Sequence, residues 1–106
     1  MVQRTNKNIR LMKKFKEDIK KNIIVDRFIF FGSRAKGNSK RYSDFDVLIV
    51  SPNFKEILWY KRPTKFYLMW KEDYPLELLC YTPEEFKRKT KKIGIVSEAI
   101  KEGIEI

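Results

Sequence analysis

Two aspartates one residue apart, Asp44 and Asp46, stand at the mouth of the apolar run DVLIV within the stretch FFGSRAKGNSKRYSDFDVLIV. On an extended strand, side chains i and i+2 leave on the same face. The two carboxylates therefore aim together at the N-terminal end of that strand. Paired carboxylates repel, and at least one is driven toward protonation unless a cation lies between them. A few carboxylate oxygens, completed by water and phosphate oxygens, describe a Mg²⁺ site rather than an all-protein calcium cage. Upstream, with ten residues intervening before Asp44, Gly32-Ser33 closes another apolar run. Glycine lets a phosphate approach the backbone closely, and Ser33 offers a hydroxyl and an amide at an expected helix start. Arg34 and Lys36 add positive charge nearby, and Ser43 either orients Asp44 or caps the strand.

A third acid follows from topology. Glu77 is the one ionised residue in PLELLCYT. A lone acid among leucines is hard to explain as a stabilising feature. If the strands bearing Asp46 and Glu77 are joined through a helix, they run parallel with a right-handed crossover, and their starts share one sheet edge. The alternative is that Glu77 lies on an exposed edge face. Taken together, these residues suit a nucleoside triphosphate held as its magnesium complex, poised for transfer.

The elements that must position these groups are legible in the periodicity. In NKNIRLMKKFKEDIKKNI, Leu11, Phe15 and Ile19 recur four apart with Met12 beside them, a helical stripe with lysines on the other faces. IIVDRFIFF is β-branched and aromatic and reads as a strand ended by Gly32. It is expected antiparallel to the next strand, since the connection is too short for a crossover unit. The segment 33–43 is long for a loop in so small a chain, which points to function. DVLIV reads as a central strand buried on both faces. Asn53, with Glu56 three residues on, predicts a helix cap. The helix-periodic stretch after it is interrupted by Pro63, so a break or kink is expected there. PLELLCY is a third strand, and Thr82, Pro83 and Glu85 spell a capped helix start. A last short helix is expected over 96–102, stopping at Gly103. The predicted fold is α/β (α+β), a small mixed β-sheet flanked by helices.

Composition bounds the rest. The 106 residues make room for one domain, 1–106, and 42% hydrophobic residues suffice for a core. The 24 Lys and Arg exceed the 14 Asp and Glu, giving a net charge of +10 that suits an anionic ligand or partner, or else reflects solvated basic helices. Zero histidines exclude a His-based triad or general base. The lone Cys80 excludes an internal disulfide, and no Cys/His cluster exists for zinc; a buried strand thiol is expected. No apolar run is long enough to cross a bilayer and no signal-peptide core is present, so a cytoplasmic protein without membrane attachment is expected.

Gly32-Ser33, ten residues, then Asp44-Phe45-Asp46 resembles the signature of the minimal nucleotidyltransferases of the DNA polymerase β superfamily. The surrounding FGSRAKG…SDFDVLIV and the later ELLCYTPEEF are similar to that family as well. The resemblance implies a polymerase β-type fold in which Gly32 and Ser33 bind the triphosphate and Asp44 and Asp46 hold a two-ion Mg²⁺ site. Glu77 takes the third-acid place, binding one metal and helping to activate the attacking hydroxyl. The family more often has Asp there, and Glu is longer by one methylene. It further implies ATP as substrate, transfer of AMP and release of pyrophosphate. Small free-standing members resemble antitoxins that attach AMP to a tyrosine of a HEPN-domain ribonuclease toxin. With no added helical domain for reading tRNA or an antibiotic, a separately encoded partner is the expectation.

Two other readings stay open. One is a nucleotidyltransferase with a nucleic-acid or small-molecule acceptor, permitted by the basic charge but without an aromatic-basic RNA-binding motif to favour it. The other is a non-catalytic antitoxin that binds nucleotide and neutralises by contact. Arg34 and Lys36 serve either phosphate or solvent. Trp59, Tyr60, Tyr67 and Trp70 are expected mostly in the core, with one or two left to form an apolar docking face.

Overall fold

The computed structural model describes residues 2–106, with side chains from Asn6 onward. Helix α1 (Val2–Lys20) leads to strand β1 (Arg27–Phe31), a one-turn helix α2 (Ser33–Lys36) and strand β2 (Phe45–Val50). Two 3₁₀ turns, Pro52–Phe54 and Trp59–Lys61, precede helix α3 (Thr64–Met69) and strand β3 (Leu76–Tyr81). Helices α4 (Pro83–Thr90) and α5 (Ile95–Glu102) and a two-residue strand β4 (Ile104–Glu105) complete the chain. The sheet order is β3-β2-β1-β4. As expected, β1 and β2 are antiparallel and β2 and β3 parallel.

Period-two alternation sorts the sheet side chains into two cores. Phe28 and Phe30 of β1, Phe45, Val47 and Ile49 of β2, and Leu78 and Cys80 of β3 face α1, which contributes Met12, Phe15 and Ile19. Ile29, Leu48, Val50, Leu79 and Tyr81 lie on the other face, under Phe86 of α4 and Val96 and Ala99 of α5. Covering both faces of β2 is what permits its uninterrupted apolar run. Each fully buried Phe or Ile stabilises this sandwich by about 1.5–3 kcal/mol.

Local signals placed most boundaries. Thr82 caps α4 with the reciprocal Glu85 bonds of a capping box and Pro83 in the first turn, and α5 ends at Gly103. Three expectations change. Strand β1 starts at Arg27 rather than Ile23, because Asn22 and Ile23 donate their amides to the Ile19 carbonyl and close α1 instead. The Asn53 cap does not form: the Ser51 hydroxyl accepts the Asn53 amide at 3.1 Å, and Asn53 Oδ1 accepts from the Ile24 amide at 2.8 Å. The helix expected after it is reduced to turns and the short α3, since Glu56 sits at a positive φ of 70° and Pro63 has no amide to donate. Strand β4, too short to leave a periodic signal, pairs with β1 at Ile29 and Phe30.

Candidate active site

The registers bring the three acids to one end of the sheet. Asp46 pairs with Phe31 of β1 on one side and with Glu77 of β3 on the other. Asp44 precedes β2 by one residue. A carboxylate oxygen from each of Asp44, Asp46 and Glu77 lies within 4.8 Å of the others. Asp44 and Glu77 are exposed and Asp46 is half-buried. Burial first, then the charges of Asp44 and Glu77, push the Asp46 carboxyl up to about 6. Phe45, between the aspartates, faces the opposite way. It is fully buried, stacked on Phe30 at 5.8 Å and packed against Trp70 and Tyr74. That anchor sets the strand start, and hence the direction of both carboxylates.

Gly32 adjoins Asp46. Its φ of 82° and ψ of −170° lie in a region reserved in practice for glycine. A Cβ at this position would run into Asp46 Oδ2. From there α2 begins, its first bonds running from the Ala35 and Lys36 amides to the Gly32 carbonyl. The amides of Ser33 and Arg34 thus have no intrahelical partner. Gly32 lies against Asp46, one of the three clustered acids.

Arg34 and Lys36, expected beside phosphate or solvent, and Ser43, expected to orient Asp44 or cap the strand, have partners within the fold. Arg34 is buried, its Nε donating to the Ser43 carbonyl at 2.7 Å and its Nη2 to the Arg41 carbonyl at 3.2 Å. Its guanidinium lies over the rings of Phe45 and Tyr74, at 4.7 and 4.5 Å from their centroids. Arg34 therefore ties the loop down just before Asp44, because a planar fork satisfies two carbonyls while stacking on aromatic faces. Lys36 is exposed and pairs with Glu102 of α5 at 2.7 Å. The Ser43 hydroxyl accepts the Lys40 amide at 2.8 Å, closing the turn rather than holding Asp44.

Other residues carry no sequence signal for their place here. Tyr74 completes the aromatic seat of Arg34, and Asn8 of α1 donates to the Arg34 carbonyl at 3.3 Å. Trp59, Tyr60 and Tyr67, expected mostly in the core, are exposed, and of the four aromatics only Trp70 packs against the core. The turn Trp59–Lys61 buries none of its residues, and α3 buries Phe66 rather than Tyr67. Cys80 is buried as expected, its thiol pushed up to about 12 by burial.

The donor set fits a hard cation. Three carboxylates converge without a neutralising Lys or Arg bonded to any of them among the described residues. Repulsion strong enough to raise Asp46 is what a divalent ion relieves. Among the described residues, no helix is long and apolar enough to cross a membrane.

Comparison with known proteins agrees with this geometry. A family model described as a nucleotidyltransferase domain matches residues 12–102, which include Gly32, Ser33, Asp44, Asp46 and Glu77. A crystal structure of a Sulfolobus solfataricus protein assigned as a nucleotidyltransferase matches with a TM-score of 0.63 at 22% identity. The match covers 82% of this chain and 78% of that one, and at this identity it is a likeness of fold. No curated protein matches the chain.

Proposed function

Since this chain belongs to the nucleotidyltransferase domain family, we propose that it moves AMP from ATP to a tyrosine hydroxyl of a HEPN ribonuclease toxin, acting as its antitoxin. The observation that carries the transfer reading is the cluster of Asp44, Asp46 and Glu77 at one end of the sheet, with Gly32 against Asp46. The toxin acceptor is supported by the resemblance of FGSRAKG…SDFDVLIV to the minimal nucleotidyltransferases.

In this reading Asp44, Asp46 and Glu77 would hold a pair of Mg²⁺ ions. Bound Mg²⁺ neutralises the phosphate oxygens and aligns the α-phosphorus. The open amides of Ser33 and Arg34, with the Ser33 hydroxyl, bind the triphosphate beside Gly32, where a missing side chain leaves room. Arg34 keeps the loop, and with it Asp44, in place. The acceptor oxygen bonds to the α-phosphorus as the bond to the bridging oxygen breaks and pyrophosphate leaves. Glu77 helps to activate the hydroxyl and takes its proton. Glu77 belongs to β3, on the far side of Asp46 from β1 and Gly32.

The test is incubation with Mg²⁺, ATP labelled at the α-phosphate, and the co-purifying partner. Label should appear on the partner, and Asp44→Asn with Asp46→Asn should lower transfer by roughly a hundredfold or more while the fold is kept. If the double variant protects cells as well as wild type, neutralisation works by contact and the catalytic account fails. A basic groove of about 360 Å³, lined by Lys7, Lys40 and Arg41, favours a second reading in which the acceptor is a nucleic acid. Label on an oligonucleotide instead of the partner would establish it.

A further inference from the structure

The groove of about 360 Å³ between α1 and the loop after α2 has no acidic side chain in its lining. Lys7 reaches it from α1, and Lys40 and Arg41 reach it from the loop. These cations are exposed, and none is paired with an acid among the described residues. Lys36 and Arg27, by contrast, have acid partners in Glu102 and Glu105. Like charges gathered in one concavity repel one another, and a bound anion relieves that cost.

Arg34 lines the same groove although it is only 5% exposed. A guanidinium donates from Nε, Nη1 and Nη2. Nε and Nη2 are bonded to the Ser43 and Arg41 carbonyls, while Nη1 has no hydrogen-bond partner among the described residues. Among those residues no enclosed side-chain nitrogen or oxygen is left without a partner. Nη1 must therefore meet an opening, and the opening that Arg34 lines is this groove. Ser39, nearly buried, adds its hydroxyl to the same lining. Asn8 of α1 holds the Arg34 carbonyl in place.

The groove and the acid cluster are on opposite faces of the sheet. Asp46 and Glu77 share a face with Leu48 and Leu79, under α4 and α5. The Arg34 guanidinium lies over the ring of Phe45, which faces α1. An anion in the groove is thus across the sheet from the carboxylates, away from a triphosphate held beside Gly32.

Shape narrows the ligand. The buried Nη1 and Ser39 hydroxyl and the exposed lysines are met together only by a compact group with acceptor oxygens on several sides. A terminal phosphate has these oxygens and a charge of roughly −1.5 to −2. A backbone phosphodiester carries a bulky substituent on each side, which keeps it at the rim. The volume exceeds that of one phosphate and lies within the range of small-ligand sites, roughly 300–1,000 Å³, which leaves room for the group that bears it.

We propose that this groove is a second oxyanion site that takes a terminal phosphate, with Arg34 Nη1 and the Ser39 hydroxyl at its floor and Lys7, Lys40 and Arg41 around its mouth. It goes beyond the transfer reading, because the phosphate here is held and not transferred. Arg34 also joins the ligand to the Ser43 carbonyl, next to Asp44. An occupied groove therefore fixes the loop that leads into that carboxylate.

The test uses the full chain in EDTA, with about 0.15 M salt to screen diffuse attraction. Inorganic phosphate is the first probe, followed by amide and arginine side-chain chemical shifts. Saturable shifts are expected at Lys7, Arg34 and 39–41, with slower amide exchange across 38–43. Lys7→Ala with Lys40→Ala, both at exposed positions, should weaken binding roughly tenfold. No saturable shift, shifts confined to Gly32, Ser33 and the acids, or a double variant that binds like wild type would overturn the proposal. Binding that leaves exchange across 38–43 unchanged would overturn the link to Asp44. A short single-stranded oligonucleotide, with and without a 5′-phosphate, separates the sources. If the ligand is a nucleic-acid end, only the phosphorylated form shifts Arg34 and Ser39; if it is the free anion, inorganic phosphate does so and neither oligonucleotide does. Equal shifts at Arg34 and Ser39 from both forms would place a backbone phosphate there and overturn the terminal-phosphate assignment. None of these readouts needs ATP, so a failure of transfer leaves the site standing.

Discussion

Removing the charge of Asp46 should stabilise the protein when no metal is bound. The Asp46 carboxyl is raised from 3.8 to about 6, chiefly by burial and then by Asp44 and Glu77. The sign follows from proton counts. Between pH 4 and 6 the folded state holds a proton that the unfolded chain has lost, so stability falls as pH rises through that window. Above pH 6 the loss is complete and constant. The interval of about two pH decades corresponds to an upper bound of ~3 kcal/mol. The carboxylate is only half-buried, and screening reduces this to about 1–2 kcal/mol. Asp46→Asn keeps the shape and removes the charge in both states. In EDTA at pH 7.5 it should raise the Tm by about 5–10 °C, at 4–8 °C per kcal/mol. Wild type should lose stability relative to the variant between pH 4 and 6, and the difference between the two proteins should vanish near pH 4. Mg²⁺ should then stabilise wild type more than the variant, because the ion relieves the repulsion that the substitution has already removed. Chemical denaturation with and without Mg²⁺ across this pH range measures all three effects. A variant no more stable than wild type in EDTA at pH 7.5 would refute the claim that burial and carboxylate repulsion together strain this site.

Three further outcomes are expected. Gly32→Ala should destabilise by about 2–3 kcal/mol, read by urea denaturation, because its backbone lies in a glycine-only region and the new Cβ meets Asp46 Oδ2. Arg34→Lys should cost about 2–4 kcal/mol through lost charge-assisted bonds and ring contacts. It should raise the Mg²⁺ needed for half-maximal transfer without changing the KM for ATP, whereas a phosphate ligand would show the reverse. Cys80, with its thiol pushed up to about 12 in the core, should resist alkylation at pH 8 until the protein is unfolded, as followed by mass spectrometry.

The acid cluster was legible because its geometry follows from local rules. Period two puts Asp44 and Asp46 on one side, and the crossover rule places Glu77 beside them; the register Asp46–Glu77 bears this out. Thr82 and Glu85 fold as a capping box because every bond in that motif is made within four residues. The partners of Arg34 were not legible, for the opposite reason. Its sequence neighbours suggest phosphate, while its actual partners are the Ser43 and Arg41 carbonyls and the Tyr74 ring, brought close only by the closed loop and β3. Lys36 likewise meets Glu102 from the far end of the chain.

The amino-acid order by itself determined the types of α1, β1, β2, β3, α4 and α5, the parallel pairing and the three carboxylates. These depend on side-chain period and on backbone chirality, which act over a few residues. Only the tertiary structure decided which cations were free for an anion and which aromatics stayed in water. A guanidinium or an indole is claimed by whichever distant partner packs against it, and for Trp59 and Tyr60 no such partner lies within the described residues.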